Sequence, residues 1–275
     1  MKIISLLTIS FLTVSQVALA QVDISQTLDR VLKKSALYVH NGMGGCSGSF
    51  IQFNGIPDSK KALVLTNGHC TGVGSFVFSG NRYPNHGEVF KNRQTNVQFE
   101  TQDRKIYKAQ RLVVASMTGT DVAIYELEST FAEVKASGYE VLRVASQKTL
   151  KQGGIVGFSS AYWSRSWNCE AEGLELNLKE GPWAWSVGIG LVGNNCVAKP
   201  GASGSPLLNE QREVVGTVNT GHSGGRDCTI MNPCEVKDGI SRGYNGKVYA
   251  MSIIELNFCV VDGAFDANAA NCPLK

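Results

Sequence analysis

Between Lys199 and Pro206 the chain reads K-P-G-A-S-G-S-P, and no other stretch constrains its fold as strongly. Small residues surround Ser203, with Gly201 and Gly204 close on either side. Glycine permits backbone turns that a side chain would forbid. Such a loop can aim its N–H groups inward while it holds one hydroxyl up. Attack of a serine on a carbonyl needs that geometry: a nucleophile, and N–H donors directed at the oxyanion. A Gly/Ser turn between two strands reads the same way locally. The two readings separate on whether a base, and an acid to orient it, lie elsewhere in the chain.

Both lie upstream. Leu63–Cys70 reads L-V-L-T-N-G-H-C and Thr120–Leu127 reads T-D-V-A-I-Y-E-L. His69, Asp121 and Ser203 therefore follow the order base, acid, nucleophile, each at the end or start of an apolar, strand-like run. A lone His is usually structural, and an Asp opening a strand is usually a turn residue. Three local patterns in this order are much harder to obtain by chance.

At these residues the chain resembles the trypsin-like (chymotrypsin-fold) serine peptidases. T-N-G-H-C resembles their T-A-[AG]-H-C, T-D-V-A-I-Y their [ND]-D-[IV]-A-L, and P-G-A-S-G-S-P their G-[DN]-S-G-[GS]-P. The resemblance runs from about Gly44 to Tyr249, and Gly201–Gly216 looks closest to bacterial members such as the glutamyl endopeptidases. It implies an all-β fold of two six-stranded antiparallel β-barrels and an acyl-enzyme mechanism on a polypeptide substrate. His69 would be the general base, Asp121 its orienting acid, and the N–H groups of Gly201 and Ser203 the oxyanion hole. The strand Thr217–Gly221 would pair with the substrate backbone. No cofactor or metal is called for, and a monomer suffices. Two other readings remain open: an exported esterase with the same triad, and a binding protein on a retired protease fold. Against the second, all three chemical residues and the oxyanion glycine are present.

The rest of the chain fits an exported protein. Met1–Ala20 has Lys2 at its start, an apolar run over Ile3–Val14 and an A-x-A ending at Ala18–Ala20, the pattern of a signal peptide. Its removal would leave Gln21 first and 255 of the 275 residues. The location expected is secreted or periplasmic. The apolar run is too short for a membrane span, so no membrane insertion is expected. Without Lys2 the net charge falls from +3 to +2, a weak balance that argues against nucleic acid as a partner. Eight cysteines fit an oxidising compartment.

Five segments follow: the signal at 1–20, a helical segment or pro-segment at 21–35, a first barrel at 36–135, a second at 136–262 and a tail at 263–275. In the helical segment Ile24, Leu28, Val31 and Leu32 share one helical face, with Asp23 placed to cap it. After Ser35 the texture becomes short β-rich runs between Gly, Asn, Pro and Ser. Ser129–Gly138 reads as a linker, and Tyr249–Leu256 as a short closing helix. Trp163 and Trp167, then Trp183 and Trp185, form two aromatic clusters, for which packing outweighs a role in a substrate groove.

Cys46 precedes one strand and Cys70 follows another; strands that pair would join them, and that bridge is common in the resembled family. Cys259 and Cys272 flank the tail and are expected to pair. Cys196 and Cys228 flank the specificity pocket much as one family bridge does, which leaves Cys169 with Cys234. The local alternative, Cys169–Cys196 with Cys228–Cys234, has equal weight. No C-x-x-C pair or calcium ligand ladder is present, so no metal site is expected.

For substrate choice, the family's acid six residues before the nucleophile is replaced by Val197, followed by Ala198. The His on which glutamyl specificity rests is replaced by Val218, four residues before His222. Val197, Ala198, Val218, Asn219, Thr220 and Gly221 would thus line a neutral pocket, unless His222, Asp227 or Asp238 folds in. Ala202 stands where trypsin-like zymogens carry the acid that pairs with a new N-terminal amine. The oxyanion loop would therefore form without that switch.

Overall fold

The computed structural model describes residues 24–40, 42 and 45–275. The expected signal peptide and the Asp23 cap lie outside the described residues. Six strands close into an antiparallel barrel: Ala36–His40, Gln98–Glu100, Ile106–Ser116, Val122–Thr130, Lys61–Thr66 and Cys46–Gln52, the last pairing back to the first. A second ring runs Ile155–Ser160, Pro206–Leu208, Val214–Gly221, Val248–Ser252, Trp183–Val192 and Arg165–Glu180, and closes by pairing its first and last strands. The chain is thus the all-β, two-barrel molecule that the resemblance implies.

Alternation along the strands explains the first core. Phe50, Phe99 and Tyr125 are fully buried, and Phe99 meets Tyr125 edge to face with ring centroids 5.3 Å apart. The helix Ser25–Lys34 lies against the second ring. Ile24, Leu28 and Val31 are buried there, and the Ser159 hydroxyl donates to the Leu28 carbonyl at 2.9 Å. Leu32, placed on the same face by its spacing, is only half-buried.

Three elements differ from the sequence reading. The expected linker contains a helix, Phe131–Ala136, started by a capping box. Thr130 accepts from the Glu133 N–H at 3.2 Å while the Glu133 carboxylate accepts from the Thr130 N–H at 2.7 Å. Phe131 and Val134 are buried and hold it down. Ser75–Phe78, whose sequence reads as one of the β-rich runs of the first barrel, instead gives the strand Phe76–Phe78, which pairs with Asn81–Tyr83 in a separate hairpin. The closing helix is a 3₁₀ turn, Ile254–Cys259, that begins after the last barrel strand has run to Ser252.

Disulfides join Cys46 to Cys70, Cys169 to Cys196, Cys228 to Cys234 and Cys259 to Cys272. Of the two pairings left open for the middle four, the structure has the local one. The tail returns to the first barrel rather than the second. Phe265 packs 5.0 Å from Phe53, Lys91 donates to the Ala267 carbonyl at 2.8 Å, and Leu274 is buried. The bridge at Cys259–Cys272 closes a loop of 13 residues. Closing a loop of that length stabilises by about 3 kcal/mol. Replacing both cysteines by Ala should therefore lower the melting temperature by about 10 °C in a calorimetric scan, with the β-sheet spectrum unchanged.

Candidate active site

The strand Lys61–Thr66 pairs with Val122–Thr130 so that Thr66 lies beside Ala123. That register places the residues after Thr66 against those before Val122. The 3₁₀ turn Gly68–Cys70 follows, and the Cys46–Cys70 bridge pins its end. Gly68 permits the approach: a Cβ there would lie 2.2 Å from the Ser116 carbonyl oxygen. His69 and Asp121 then meet twice. The His69 backbone N–H donates to Asp121 Oδ1 at 3.1 Å, and His69 Nδ1 lies 2.7 Å from Oδ2. Asn67 donates to the Asp121 carbonyl at 2.9 Å. With its carboxylate wholly buried, Asp121 accepts the proton on Nδ1 and leaves Nε2 as the free basic position.

Burial alone would lower the His69 pKa. The charge of Asp121, its hydrogen bond and the more distant charge of Glu180 outweigh that, and hold it above its ordinary value of 6.5.

Ser203 comes from the second ring, in the loop before Pro206–Leu208. Its hydroxyl donates to the Asn219 carbonyl at 3.1 Å, and its own carbonyl accepts from the Ser47 N–H at 2.8 Å. Gly201 takes φ +99°, and the Tyr162 ring leaves no room for a side chain, since a Cβ would fall 2.4 Å from it. The Ser47 hydroxyl donates to the Gly201 carbonyl at 3.0 Å and lies 2.9 Å from the Ser160 hydroxyl. Ala202, at the position of the missing zymogen acid, is fully buried and apolar.

His69, Asp121, Gly201 and Ser203 line one cavity of about 600 Å³ between the barrels. Val197, Ala198, Val218, Asn219, Thr220 and Gly221 line it too. Val218 has no exposed surface, and its backbone serves the nucleophile loop: Gly204 donates to its carbonyl, and its N–H donates to Ser205. Beyond Thr217 the strand Val214–Gly221 has no strand partner on its Pro206–Leu208 side among the described residues, so Asn219–Gly221 offers an edge to an extended chain.

His222 and Asp227 satisfy each other. Gly224 donates to His222 Nδ1 at 3.1 Å, so Nε2 carries the proton and donates to Asp227 Oδ1 at 3.0 Å. Asp227 Oδ2 takes the Gly243 N–H at 2.6 Å. Asp238 is exposed on the turn between Cys234–Lys237 and Ile240–Gly243. Lys247 borders the cavity between the carboxylates of Glu172 and Glu235. Among the described residues, the one cluster of metal-ligand type is Cys46, His69 and Cys70, and its two sulfurs are bonded to each other.

The sequence reading missed the tip of the hairpin formed by Arg165–Glu180 and Trp183–Val192. Trp183 and Trp185 line the cavity as well as packing, and their indole N–H groups donate to the carbonyls of Pro84 and Met117 in the first barrel, each at 2.9 Å. Two tryptophans at strand spacing beside the G-P turn were the available signal. Glu180 is buried at this tip, with Oε1 accepting from the Met231 N–H at 2.7 Å and Oε2 without a partner among the described residues. Burial pushes its carboxyl pKa up. Trp167 stacks on Phe158 inside the second ring, whereas Trp163 stands outside the cavity.

Residues 46–216 match the family described as trypsin-like peptidase domain. No curated protein sequence matches the chain. Among solved structures it is similar to the active form of the Rv3671c protease from M. tuberculosis, at 14% identity over 84% of this chain and 81% of that one, with a TM-score of 0.50. It is also similar to a serine endoprotease from Yersinia pestis, at 15% identity over 85% of this chain and 63% of that one, with a TM-score of 0.49. At such identities the likeness is one of fold.

The His69–Asp121 pair can be tested alone. Asp121 stabilises the imidazolium, so Asp121→Asn should lower the His69 pKa, read from its ring proton shifts in an NMR titration. An unchanged or higher pKa would contradict the assignment of Asp121 as the charge that faces His69.

Proposed function

The chain belongs to the trypsin-like peptidase family and is a serine peptidase, and on that premise we propose that Ser203, His69 and Asp121 are its triad. His69 takes the proton from the Ser203 hydroxyl through Nε2 as that oxygen attacks the scissile carbonyl, then donates it to the leaving amine. Water repeats the two steps on the acyl-enzyme and returns Ser203 to its free form. Asp121 keeps the proton on Nδ1 and stabilises the imidazolium. The N–H groups of Gly201 and Ser203 receive the oxyanion. The observation that carries this reading is the 2.7 Å contact of His69 Nδ1 with the buried Asp121, in the cavity that Ser203 also lines. For this the Ser203 hydroxyl must leave the Asn219 carbonyl, to which it donates at 3.1 Å, and donate to Nε2 instead.

Export is part of the same proposal. Four disulfides suit an oxidising compartment, and the sequence of Met1–Ala20 is that of a signal peptide. Cleavage there would leave one chain beginning at Gln21, with the helical segment at 21–35, the first barrel at 36–135, the second at 136–262 and the tail at 263–275.

Replacing Ser203 by Ala should abolish both labelling by a fluorophosphonate and peptide turnover, with the melting curve retained. Label found on another serine would displace Ser203 from its role. Asp121→Asn should reduce kcat by about 10⁴, the scale set by the family template.

Substrate choice follows from the cavity wall near Val197 and Ala198. His222 and Asp227 are paired with each other, and Lys247 is matched by two carboxylates. Glu180 also lines the cavity, with Oε2 unpartnered among the described residues, but burial raises its carboxyl pKa and so favours the neutral form. A charged substrate side chain entering beside Val197 and Ala198 would lose water and find no matched charge there. The residue before the scissile bond should therefore be small to medium and apolar. In a peptide library varied at that position, Ala, Val or Leu should exceed Arg, Lys and Glu by about 10-fold or more in kcat/KM, a gap of about 1.4 kcal/mol. Selection of Arg or Lys would point to Glu180 or Asp227, and selection of Glu to His222.

A further inference from the structure

The two peptide planes that flank Gly201 are each held by a side chain from outside the loop. On the far side, the Ser47 hydroxyl donates to the Gly201 carbonyl at 3.0 Å. On the near side, the Trp163 indole Nε1–H donates to the Pro200 carbonyl at 3.0 Å. A trans peptide is planar, so its N–H points opposite to its C=O. Pro200 and Gly201 line the cavity and Trp163 does not. A Pro200 carbonyl drawn to Trp163 therefore turns the Gly201 N–H away from the indole.

Trp163 is itself fixed. Its backbone N–H donates to the Ser160 hydroxyl at 3.3 Å, and that of Tyr162 donates to the Ser47 hydroxyl at 3.3 Å. The Lys199 ammonium, at the start of the loop, lies 5.3 Å from the Trp163 ring centre. Tyr162 meets Trp163 edge to face at 5.3 Å, and stacks on Tyr38 of the first barrel at 5.7 Å. Yet Trp163 is 41% exposed, so the indole is no part of a core. Its polar end has one recorded task, which is the Pro200 carbonyl. Glycine at 201 makes that task necessary. With no side chain of its own, Gly201 offers little resistance to a turn of the preceding peptide, and a flip would put the Pro200 oxygen where the N–H belongs.

We propose that Trp163 is the positioning residue of the oxyanion hole, holding the Pro200–Gly201 peptide so that the Gly201 N–H faces the reacting carbonyl. This rests on the reading of Ser203 as nucleophile and Gly201 as oxyanion donor. Trp163 touches neither the substrate nor the reacting atoms. It fills, with a neutral hydrogen bond, the place that Ala202 leaves open by lacking a carboxylate.

The test compares three forms of the protein: wild type, Trp163→Phe, and a form with benzothienylalanine placed at position 163, whose sulfur replaces the indole N–H without a change of shape. Three readouts are taken on each: kcat and KM on one peptide substrate, the rate of fluorophosphonate labelling at Ser203, and the inhibition constant of a peptide boronate. Loss of an oxyanion donor lowers kcat by about 10²–10³, so partial misplacement should lower it by about 10-fold or more, with KM changed by less than about 3-fold. Labelling should slow, and boronate binding weaken, by similar factors in both variants. A role in packing alone would leave the benzothienylalanine form at the wild-type kcat, and that result overturns the inference even if Trp163→Phe fails to fold. Loss expressed in KM alone overturns it as well. The wild type separates the two levels: a labelled, active wild type with unaffected variants sinks only the role of Trp163, whereas a wild type that takes no label sinks the nucleophile assignment and this inference together.

Discussion

A fully buried carboxylate dictates much of this molecule. Asp121 has no exposed surface, and an ionised carboxylate in that position is tolerable only if every lone pair finds a donor. The donors come from one short turn: the His69 N–H and the His69 ring both reach it. That requirement fixes the turn after Lys61–Thr66, calls for glycine at 68 and sets the imidazole tautomer. The first barrel thus holds His69, the base of the proposed triad, in an orientation that is a by-product of solvating a buried charge.

Ser203, the proposed nucleophile, depends on the same barrel from the other direction. Ser47 sits at the start of the strand Cys46–Gln52, yet its N–H, hydroxyl and carbonyl all serve the site. The N–H goes to Ser203, the hydroxyl to Gly201, and the carbonyl accepts from Thr66 at 2.8 Å. With the Trp183 and Trp185 indoles reaching into the first barrel, the cleft is tied at both ends. Relative motion of the barrels would break hydrogen bonds in buried surroundings, where an unmade bond is costly. This rigidity is what a site needs if its donors are to be in place before charge develops.

How legible this was in the sequence follows from how local each cause is. The barrel strands and the motif residues show in short windows, because alternation and turn residues are short-range. The Cys259–Cys272 bridge shows in the two cysteines that flank the tail, and the Cys46–Cys70 bridge in strand pairing together with the family resemblance. The helix Phe131–Ala136 was legible too, in Thr130 and Glu133 three residues apart, but the small polar residues around it read as a linker. The long hairpin ending in Glu180 and Trp183 was not legible. Its strand Arg165–Glu180 carries bulges that break the alternation near Ala171, Gly173 and Leu176. The partners of its tip, Pro84, Met117 and Met231, lie 51 or more positions from the residues they meet. Trp163 shows the same limit: an indole reads as packing until its acceptor, Pro200, is known. His222 and Asp227 mark the opposite case, residues that the sequence offered as pocket charges and that the fold pairs with each other.

The manner in which the oxyanion loop is held bears on how the enzyme responds to pH. In the trypsin-like zymogen scheme that loop depends on an ion pair with an amine, and so on a titrating group. Here its named supports are Ser47, Ser160 and Trp163, none of which ionises near neutrality. Two groups at the site with shifted pKa values are His69, raised by Asp121 and Glu180 against its burial, and Glu180, raised by burial. These two are coupled: a charge on Glu180 favours the imidazolium, and the imidazolium favours a charge on Glu180. As pH rises, loss of the His69 proton restores the base while removing one partner of the Glu180 charge. In the proposed mechanism the acid limb of activity then belongs to the pair rather than to His69 alone. The loop itself contributes nothing to that limb, so the geometry that receives the oxyanion is the same on both sides of it.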